Sequence, residues 1–263
     1  MIGTRLVEEL VQAVALSHRI KDQRRVSLLL LAAPESGKTT VTTAAHCPHV
    51  CQVAVISGLS VVKEVQENRA TEFLLFNDLT AIRAMSNTAS NLLIVLLNQF
   101  TQAEKGKVAF AGKETAAIAR PLGVIACLPF ETFVDHRARW KELGFVSRMI
   151  PFAYSYSDDL IARIKDSIET GASRNGHGHP RMPKASTRPV AIAMAPAYVR
   201  AVRHLADARA RRLKQLGIRL LQNYHSLIRA HALLKRRKSV TKDDLDFLRA
   251  VDNYVSITDC EAL

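Results

Sequence analysis

The sequence predicts an α/β protein in which a mainly parallel sheet is followed by a helical C-terminal part. Three apolar runs, interrupted only by Ser27, are typical of strands that are buried on both faces; they are Val26–Leu31, Phe73–Phe76 and Gly123–Leu128. Segments of helical character separate these runs, and strands that alternate with helices form parallel sheets with right-handed crossovers. From Pro196 onward the apolar period is largely helical.

The other elements follow from local periodicity and from capping residues. Thr4–Ala15 carries apolar residues at helical spacing, and Lys38–Ala45 is predicted to be a helix after a turn. Ser90–Gln102 is a long apolar helix, and its first residue is the expected N-cap because a serine side chain satisfies a first-turn amide. Two further strands are predicted, Val53–Ser57 and Arg148–Tyr154.

A change of composition near Gly171 divides the chain into three parts. Residues 1–170 are predicted to form the α/β core, and residues 189–263 an all-helical subdomain. Between them, residues 171–188 are rich in Gly, Pro, His and Ser, which predicts a mobile linker or loop. Within the last part, Thr241 is the expected N-cap of a helix, because an acid, Asp244, follows it three residues on.

Composition excludes several classes of protein. Apolar residues make up 48% of the 263 residues, enough for a substantial core. No apolar run approaches the roughly 18–20 residues that a membrane helix needs, and the N-terminus lacks the features of a signal peptide. The four cysteines do not form a disulfide framework in a chain of this length. We therefore expect a cytoplasmic protein without a membrane partner.

The net charge of +13 is unevenly distributed, since residues 161–263 contribute +11 of it. Such asymmetry predicts an anionic partner, most often nucleic acid, although a solvated basic surface is the alternative. The basic residues of this half fall into two groups, Arg200, Arg203, Arg209, Arg211, Arg212 and Lys214 in the first and Lys235–Lys238 in the second.

A phosphate-binding motif lies between the first apolar strand and the helix that begins at Lys38. The sequence Ala32-Ala33-Pro34-Glu35-Ser36-Gly37-Lys38-Thr39 fits the P-loop pattern, except that Ala32 stands where the first glycine is expected. In such a loop, successive backbone N–H groups and the helix N-terminus face a phosphate. Because alanine resists positive φ, Ala32 is expected to narrow the turn geometry.

Each polar residue of this motif has a predicted role. Gly37 allows close backbone approach, Lys38 neutralises β- and γ-phosphate oxygens, and Thr39 offers its hydroxyl to Mg²⁺. The predicted cofactors are therefore ATP and Mg²⁺. The predicted nucleotide contacts are Ala33, Pro34, Glu35, Ser36, Gly37, Lys38, Thr39 and Thr40. The implied fold is a P-loop NTPase core, in which a parallel sheet is the middle of three layers, with a C-terminal all-helical lid.

An acid must complete this site, and Asn77-Asp78 follows the apolar run Phe73–Phe76. Four apolar residues before an acid at a strand end form the Walker-B arrangement, which usually ends in Asp-Glu. Two interpretations stay open: Asp78 is the Mg²⁺ acid, or Asn77 replaces it and Asp78 is a shorter general base. Both predict slow hydrolysis.

Two further segments resemble AAA+ proteins. Leu143-Gly144-Phe145-Val146-Ser147-Arg148-Met149-Ile150 resembles the stretch that carries the arginine finger, which implies that Arg148 reaches the γ-phosphate held by an adjacent subunit. Arg137 and Arg139 are rivals for that role. The end of the chain, with Ala230-His231-Ala232 and Val240-Thr241-Lys242-Asp243-Asp244, resembles the lid of the minichromosome-maintenance helicases, and this register implies that Arg219 is the sensor-2 arginine.

The segment Glu104–Lys113 is predicted to be a β-hairpin because Val108 and Phe110 alternate between glycines. In AAA+ rings a hairpin at this place often lines the central pore. The resemblance therefore implies nucleic-acid contacts from Lys105, Lys107 and Lys113, with Phe110 stacking on bases. A solvated surface loop is the alternative.

Together these features predict an AAA+ ATPase that binds ATP at the subunit interfaces of a homo-oligomer, a ring or a filament, and acts on DNA. The expected role lies in replication, helicase loading or transposition, with a motor or recombination protein as a further partner. Two alternatives stay open. One is an ATP-binding scaffold or switch that hydrolyses little; the other is a protein-remodelling ATPase.

Overall fold

A computed structural model describes residues 4–53, 58–102, 106–110, 113–118, 120–170 and 188–262. The α/β class is confirmed: a parallel sheet is surrounded by helices. The helices are α1 (Arg5–Leu16), α2 (Lys38–Thr42), α3 (Gly58–Glu67), α4 (Asn87–Gln102), α5 (Phe130–Glu142), α6 (Asp158–Glu169), α7 (Pro196–Leu213), α8 (Ile218–Leu234) and α9 (Lys242–Asn253). The strands are β1 (Leu28–Leu31), β2 (Val50–Gln52), β3 (Phe73–Phe76), β4 (Gly106–Phe110), β5 (Lys113–Ile118), β6 (Gly123–Leu128), β7 (Ile150–Ser155) and β8 (Glu261–Ala262).

The main sheet has the strand order β2-β3-β6-β1-β7-β8, and all its pairings are parallel. Strands β1, β3 and β6 are buried along their whole length, as their continuous apolar sequences predict. Leu28 pairs with Ile125 on one side and with Ile150 on the other, so β6 separates β1 from β3. The carboxyl ends of β1, β3 and β6 therefore meet at one edge.

Several predicted boundaries are corrected. The second strand begins at Val50 rather than Val53, although the Val53 amide still donates to the carbonyl of Leu75 at 2.9 Å. Residues 54–57 lie outside the described part of the chain. Ser90 is not an N-cap, because α4 begins one turn earlier; the side chain of Ser86 accepts the Ala89 amide at 3.3 Å instead.

The predicted helix Lys38–Ala45 forms as α2 followed by a 3₁₀ turn over Thr43–Ala45. The last predicted strand begins at Ile150, and Arg148 instead ends the 3₁₀ turn Val146–Arg148. These differences are shifts of a few residues at the ends of elements, where hydrogen-bond patterns change gradually.

The helical C-terminal part shares a single apolar core with the sheet. Helix α8 packs on α1, α7 and α9, and its buried residues belong to the same cluster as β1 and β6. The predicted capping box at Thr241 and Asp244 is present. After α9 the chain returns to the sheet, where β8 pairs with β7, so the last residues are not part of a helical unit. Residues 171–187 of the predicted linker lie outside the described part.

Candidate nucleotide-binding site

The loop between β1 and α2 combines two residues in the left-handed conformation. Gly37 has φ = 70° and Glu35 has φ = 62°, whereas Ala32 is not among the residues with positive φ. The missing first glycine therefore does not strain this loop, and the expectation that Ala32 narrows the turn geometry stays a prediction. The residue that carries a conformational cost is Glu35, because the left-handed conformation costs a residue with a side chain about 1–2 kcal/mol.

The ammonium group of Lys38 lies at the centre of this loop. Its Nζ donates to the carbonyls of Ala32 at 2.9 Å and Ala33 at 2.6 Å, and it lies 3.3 Å from the Ser36 hydroxyl. Burial lowers the pKa of Lys38, an effect that the nearby Asp78 carboxylate opposes. Lys38 thus holds a positive charge among loop oxygens that anionic oxygens can replace.

Two tyrosines hold the loop from the side of β7. The hydroxyls of Tyr156 and Tyr154 both donate to the carbonyl of Ser36, at 2.5 Å and 3.3 Å. A Cβ on Gly37 would lie 3.2 Å from the Tyr156 hydroxyl, so that position is also crowded. Sequence reasoning missed both tyrosines. Their spacing of two residues at the end of β7 indicates a shared face, but no local pattern indicates that β7 lies beside β1.

Asn77 and Asp78 follow β3 and reach the same edge as the loop. The Oδ1 of Asn77 lies 2.9 Å from the Thr42 hydroxyl, which ties the end of β3 to α2. Asp78 is exposed, and its Oδ1 accepts the Thr80 amide at 2.8 Å. Asn77 is therefore occupied in the fold, while Asp78 presents a carboxylate to solvent near Lys38.

The hydroxyl residues of α2 differ in exposure. Thr39 and Thr40 are exposed on its first turn, and Thr42 is buried. Within the described ranges no group of three or more His, Cys, Asp or Glu side chains is arranged to hold a metal ion. A magnesium ion at the predicted place would take only the Thr39 hydroxyl and the Asp78 carboxylate from the protein, with phosphate and water as its other ligands.

Arg148 and Arg219, the predicted finger and sensor arginines, lie together at the amino ends of the strands, opposite the end that carries the loop of Lys38. Arg219 donates to the Ser147 hydroxyl at 3.2 Å, and Arg148 donates to the carbonyl of Gly144. Ser147 and Arg148 precede the start of β7, which pairs with the start of β1, whereas the loop of Lys38 follows the end of β1. Four strand residues span about 13 Å. Arg148 therefore lies at the end of the strands away from Lys38 of the same chain, and Arg219 lies beside it.

A third arginine lies beside this pair. Arg24 donates to Gln222 at 3.0 Å and to the carbonyl of Thr101 at 3.3 Å. Burial, and then the charge of Arg219, lowers the pKa of Arg24. The rivals proposed for the finger role are engaged elsewhere: Arg137 donates to the carbonyl of Ile257, and Arg139 to Asn91 and Glu142.

The predicted hairpin is confirmed in its backbone. Strands β4 and β5 pair antiparallel, with Phe110 opposite Lys113. Lys105 lies outside the described residues, and the structure describes only the backbone at Lys107, Phe110 and Lys113. Their predicted contacts with nucleic acid therefore stay predictions.

Two members of the predicted basic groups have structural roles. Arg209 is buried and forms a two-pronged ion pair with Asp252, at 3.1 Å and 2.9 Å. Arg237 binds Asp243 and Asp244 at the start of α9, at 3.0 Å and 2.7 Å. These two arginines are thus removed from the set of candidate nucleic-acid contacts.

No protein-family model matches the chain, and a search of curated proteins finds no significant match. Among the described residues, none of the helices is both long and apolar enough to span a membrane.

Proposed function

We propose that this protein is a P-loop ATPase of the AAA+ type that binds ATP between the subunits of an oligomer and acts on DNA. The observation that carries the proposal is the position of Lys38, whose ammonium group is surrounded by loop oxygens between a buried strand and a helix. Left-handed residues at Glu35 and Gly37 support a loop of this kind.

Residues of the loop account for the binding of the nucleotide. Lys38 exchanges its carbonyl partners for β- and γ-phosphate oxygens. The backbone N–H groups between Ala33 and Thr40 surround the phosphates, except at Pro34, which has none. Thr39 and Asp78 hold Mg²⁺, which neutralises the charge that develops on the phosphates. Asp78 fits this role better than Asn77, because the Asn77 amide is already bound to Thr42 on α2.

The position of Arg148 and Arg219 favours an oligomer. Arg148 and Arg219 lie at the end of the strands away from their own Lys38, which favours a role towards a nucleotide that another copy holds. Next to Arg219, the side chains of Leu216 and Ile218 are 94% and 65% exposed. Large apolar groups this exposed beside a cationic cluster are typical of a surface that a partner covers.

Slow hydrolysis is the expected behaviour, and it keeps the scaffold or switch as a second candidate. Asn77 has no carboxylate, and Asp78 is followed by Leu79 rather than by a second acid. A site without a well-placed general base holds ATP longer than it turns it over. The protein-remodelling alternative depends on Phe110 and gains no support from the described residues.

DNA is the proposed anionic partner because most of the net charge of +13 lies in residues 161–263. The test is ATP turnover with and without duplex DNA, together with the size of the particle in ATP and in ADP. We expect slow turnover that DNA stimulates, an oligomer in ATP, and loss of turnover in Lys38→Ala. Turnover that Lys38→Ala leaves unchanged would refute the enzyme, and a monomer in both nucleotides would refute the role of Arg148.

A further inference from the structure

The outer face of α7 carries a row of cations with almost no acid among them. Arg200, Arg203, Arg211 and Arg212 are exposed along the helix, and Lys214 is exposed at its C-cap. We call these five residues the α7 stripe. Between Pro196 and Gly217 the single acidic residue is Asp207. The helix therefore presents a local charge far above that of the molecule as a whole.

The fold neutralises other basic residues of the same region but not the stripe. Arg209 pairs with Asp252, Arg237 with Asp243 and Asp244, and Lys235 with Glu9 at 3.0 Å. Within the described ranges no carboxylate forms an ion pair with a stripe side chain; Arg211 Nε donates to the main-chain carbonyl of Asp207 at 3.3 Å. The charge of the stripe is thus available to an external anion.

The geometry of the stripe fits a linear array of charges. Arg200, Arg203 and Arg211 fall within an arc of about 80° on the helix, which also contains Asp207, whereas Arg212 lies about 100° beyond Arg211. Arg200 and Arg211 are separated by about 16 Å along the axis. Duplex DNA presents a phosphate on each strand about every 3.4 Å of its axis. The row from Arg200 to Arg211 therefore spans about five phosphates of one strand, which allows each of its three arginines a phosphate contact.

The remaining surface of α7 argues against other anionic partners. Its apolar face, with Val202, Ala206, Ala210 and Leu213, is buried, so α7 has no apolar face to insert into a membrane. The stripe itself contains no aromatic side chain on which single-stranded bases would stack. An arginine row without apolar anchors lacks the central contacts of a protein interface.

We propose that the α7 stripe binds the phosphate backbone of duplex DNA, without base specificity. The inference rests on the proposed function, for which it names the DNA-contacting surface outside the β4–β5 hairpin. Phosphate contacts fix a protein on the duplex without reading its sequence, and arginine suits them because its charge is permanent. The stripe thus provides a rigid contact on the helical part of the molecule.

The test is the binding of a fluorescent 30-base-pair duplex at several salt concentrations. The test variant replaces Arg200, Arg203, Arg211 and Arg212 by Gln, which has a similar helix propensity. The control variant makes the same change at four other exposed cations, Lys21, Lys141, Arg163 and Lys165. We expect the stripe variant to bind at least about tenfold more weakly, and its salt slope to fall by about 0.9 for each phosphate that is no longer neutralised. The affinity of the control variant for the duplex should fall by less than about threefold relative to the wild type.

Each outcome separates the inference from the proposed function. ATP binding and thermal unfolding, measured in parallel, must match the wild type, because the groups that contact Lys38 or shift its pKa include no stripe residue. Equal DNA binding by the stripe and control variants would overturn the inference, and so would a stripe variant that loses binding to anionic lipid vesicles but not to duplex. If the double variant Lys107→Gln with Lys113→Gln abolishes DNA binding instead, DNA remains the partner, but the proposal that the α7 stripe binds it is wrong. A wild-type protein that binds ATP but not DNA would contradict the proposed role of the α7 stripe and the DNA partner in the proposed function.

Discussion

At the scale of single residues, the conformation of Gly37 is the most sensitive point of the loop. Its φ of 70° disfavours any side chain, and a Cβ there would lie 3.2 Å from the Tyr156 hydroxyl. The same hydroxyl holds the Ser36 carbonyl. Loop shape and its support from β7 are therefore coupled at one residue.

We predict that Gly37→Ala lowers the free energy of unfolding by about 1–2 kcal/mol, because alanine must adopt the left-handed conformation. Urea unfolding measures this change. The same substitution in a Tyr156→Phe background removes the contact with the hydroxyl and keeps the backbone cost. A Gly37→Ala protein as stable as the wild type would show that the loop does not hold this conformation.

The buried ion pair of Arg209 and Asp252 is the second point at this scale. Asp252 also accepts a hydrogen bond from the Tyr224 hydroxyl, and Arg209 donates to the carbonyl of Val255 at 3.0 Å. Burial, followed by the Asp252 charge, raises the pKa of Tyr224. The cluster joins α7, α8 and the end of α9, so its value is structural.

We predict that Arg209→Met destabilises the protein by about 3–5 kcal/mol, because it leaves the Asp252 carboxylate buried and unpaired. The double variant Arg209→Met with Asp252→Leu should recover much of that loss, since both charges are then absent. Urea unfolding of the two variants provides the comparison. A single variant that costs under about 1 kcal/mol would mean that Arg209 is free to act elsewhere.

At the scale of elements, His231 joins α1, α8 and α9. Its Nδ1 lies 2.7 Å from Asp244, its ring stacks on Phe247, and its Nε2 lies 3.6 Å from Glu9, too far for a hydrogen bond. The facing His231, opposed by desolvation and helped by Lys235 and Arg5, lowers the pKa of Glu9 to about 2. The ion pair of Glu9 with Lys235, at 3.0 Å, attaches the N-terminal helix to the end of α8.

This shift predicts a specific dependence of stability on pH. A depressed carboxylate stabilises the fold fully above its ordinary pKa of 4.5, and the contribution disappears as the pH falls from there towards 2. Glu9→Gln should therefore be less stable than the wild type at about pH 7, and nearly equal to it close to pH 2. Urea unfolding at both values tests this, with Glu67→Gln on the exposed face of α3 as the control. A difference that does not depend on pH would contradict the assignment.

Elements buried on both faces could be predicted from the sequence, and long-range pairings could not. Strands β3 and β6 begin and end where their apolar runs do, because an uninterrupted run leaves no alternative face. Strand β8 was missed because two residues carry no period. The partners of Arg209 and Arg237 also escaped prediction, since a charge pattern along a helix does not indicate which carboxylate the fold brings near.

The candidate site divides in the same way. Its loop residues are contiguous in sequence, so a local motif suffices to predict them. Tyr154 and Tyr156 reach Ser36 from about 120 residues away, and the strand order that brings β7 beside β1 has no local signal. The separation of Arg219 from Lys38 also depends on the packing of α8, which no residue pattern indicates.

At the scale of the whole molecule, the loop of Lys38 lies at one end of the sheet strands, and Arg148 and Arg219 lie at the other. On the proposed function, such a molecule carries two incomplete halves of an ATP site, and a head-to-tail contact between copies completes one site per interface. The proposal therefore makes the ATP turnover of one subunit depend on residues of another.

We predict that mixing two inactive variants restores ATP turnover. Lys38→Ala lacks a phosphate site but keeps its arginines, and Arg148→Ala has the reverse defect. A mixed oligomer contains interfaces where an intact loop faces an intact arginine, so turnover should approach about a quarter of the wild-type value in a random equal mixture. Each variant alone is the control. A mixture as inactive as its components would argue against sites shared between subunits.

The central claim is that Lys38 holds the phosphates of ATP, and equilibrium binding of a fluorescent ATP analogue tests it most directly. Wild-type protein, Lys38→Ala and the exposed control Lys141→Ala should be compared in the presence and absence of Mg²⁺. We predict saturable binding by the wild type and the control, and affinity at least about tenfold weaker in Lys38→Ala, since a charge-assisted contact of about 1.5–3 kcal/mol is removed. A wild-type protein that does not bind, or a Lys38→Ala protein that binds equally well, would contradict it.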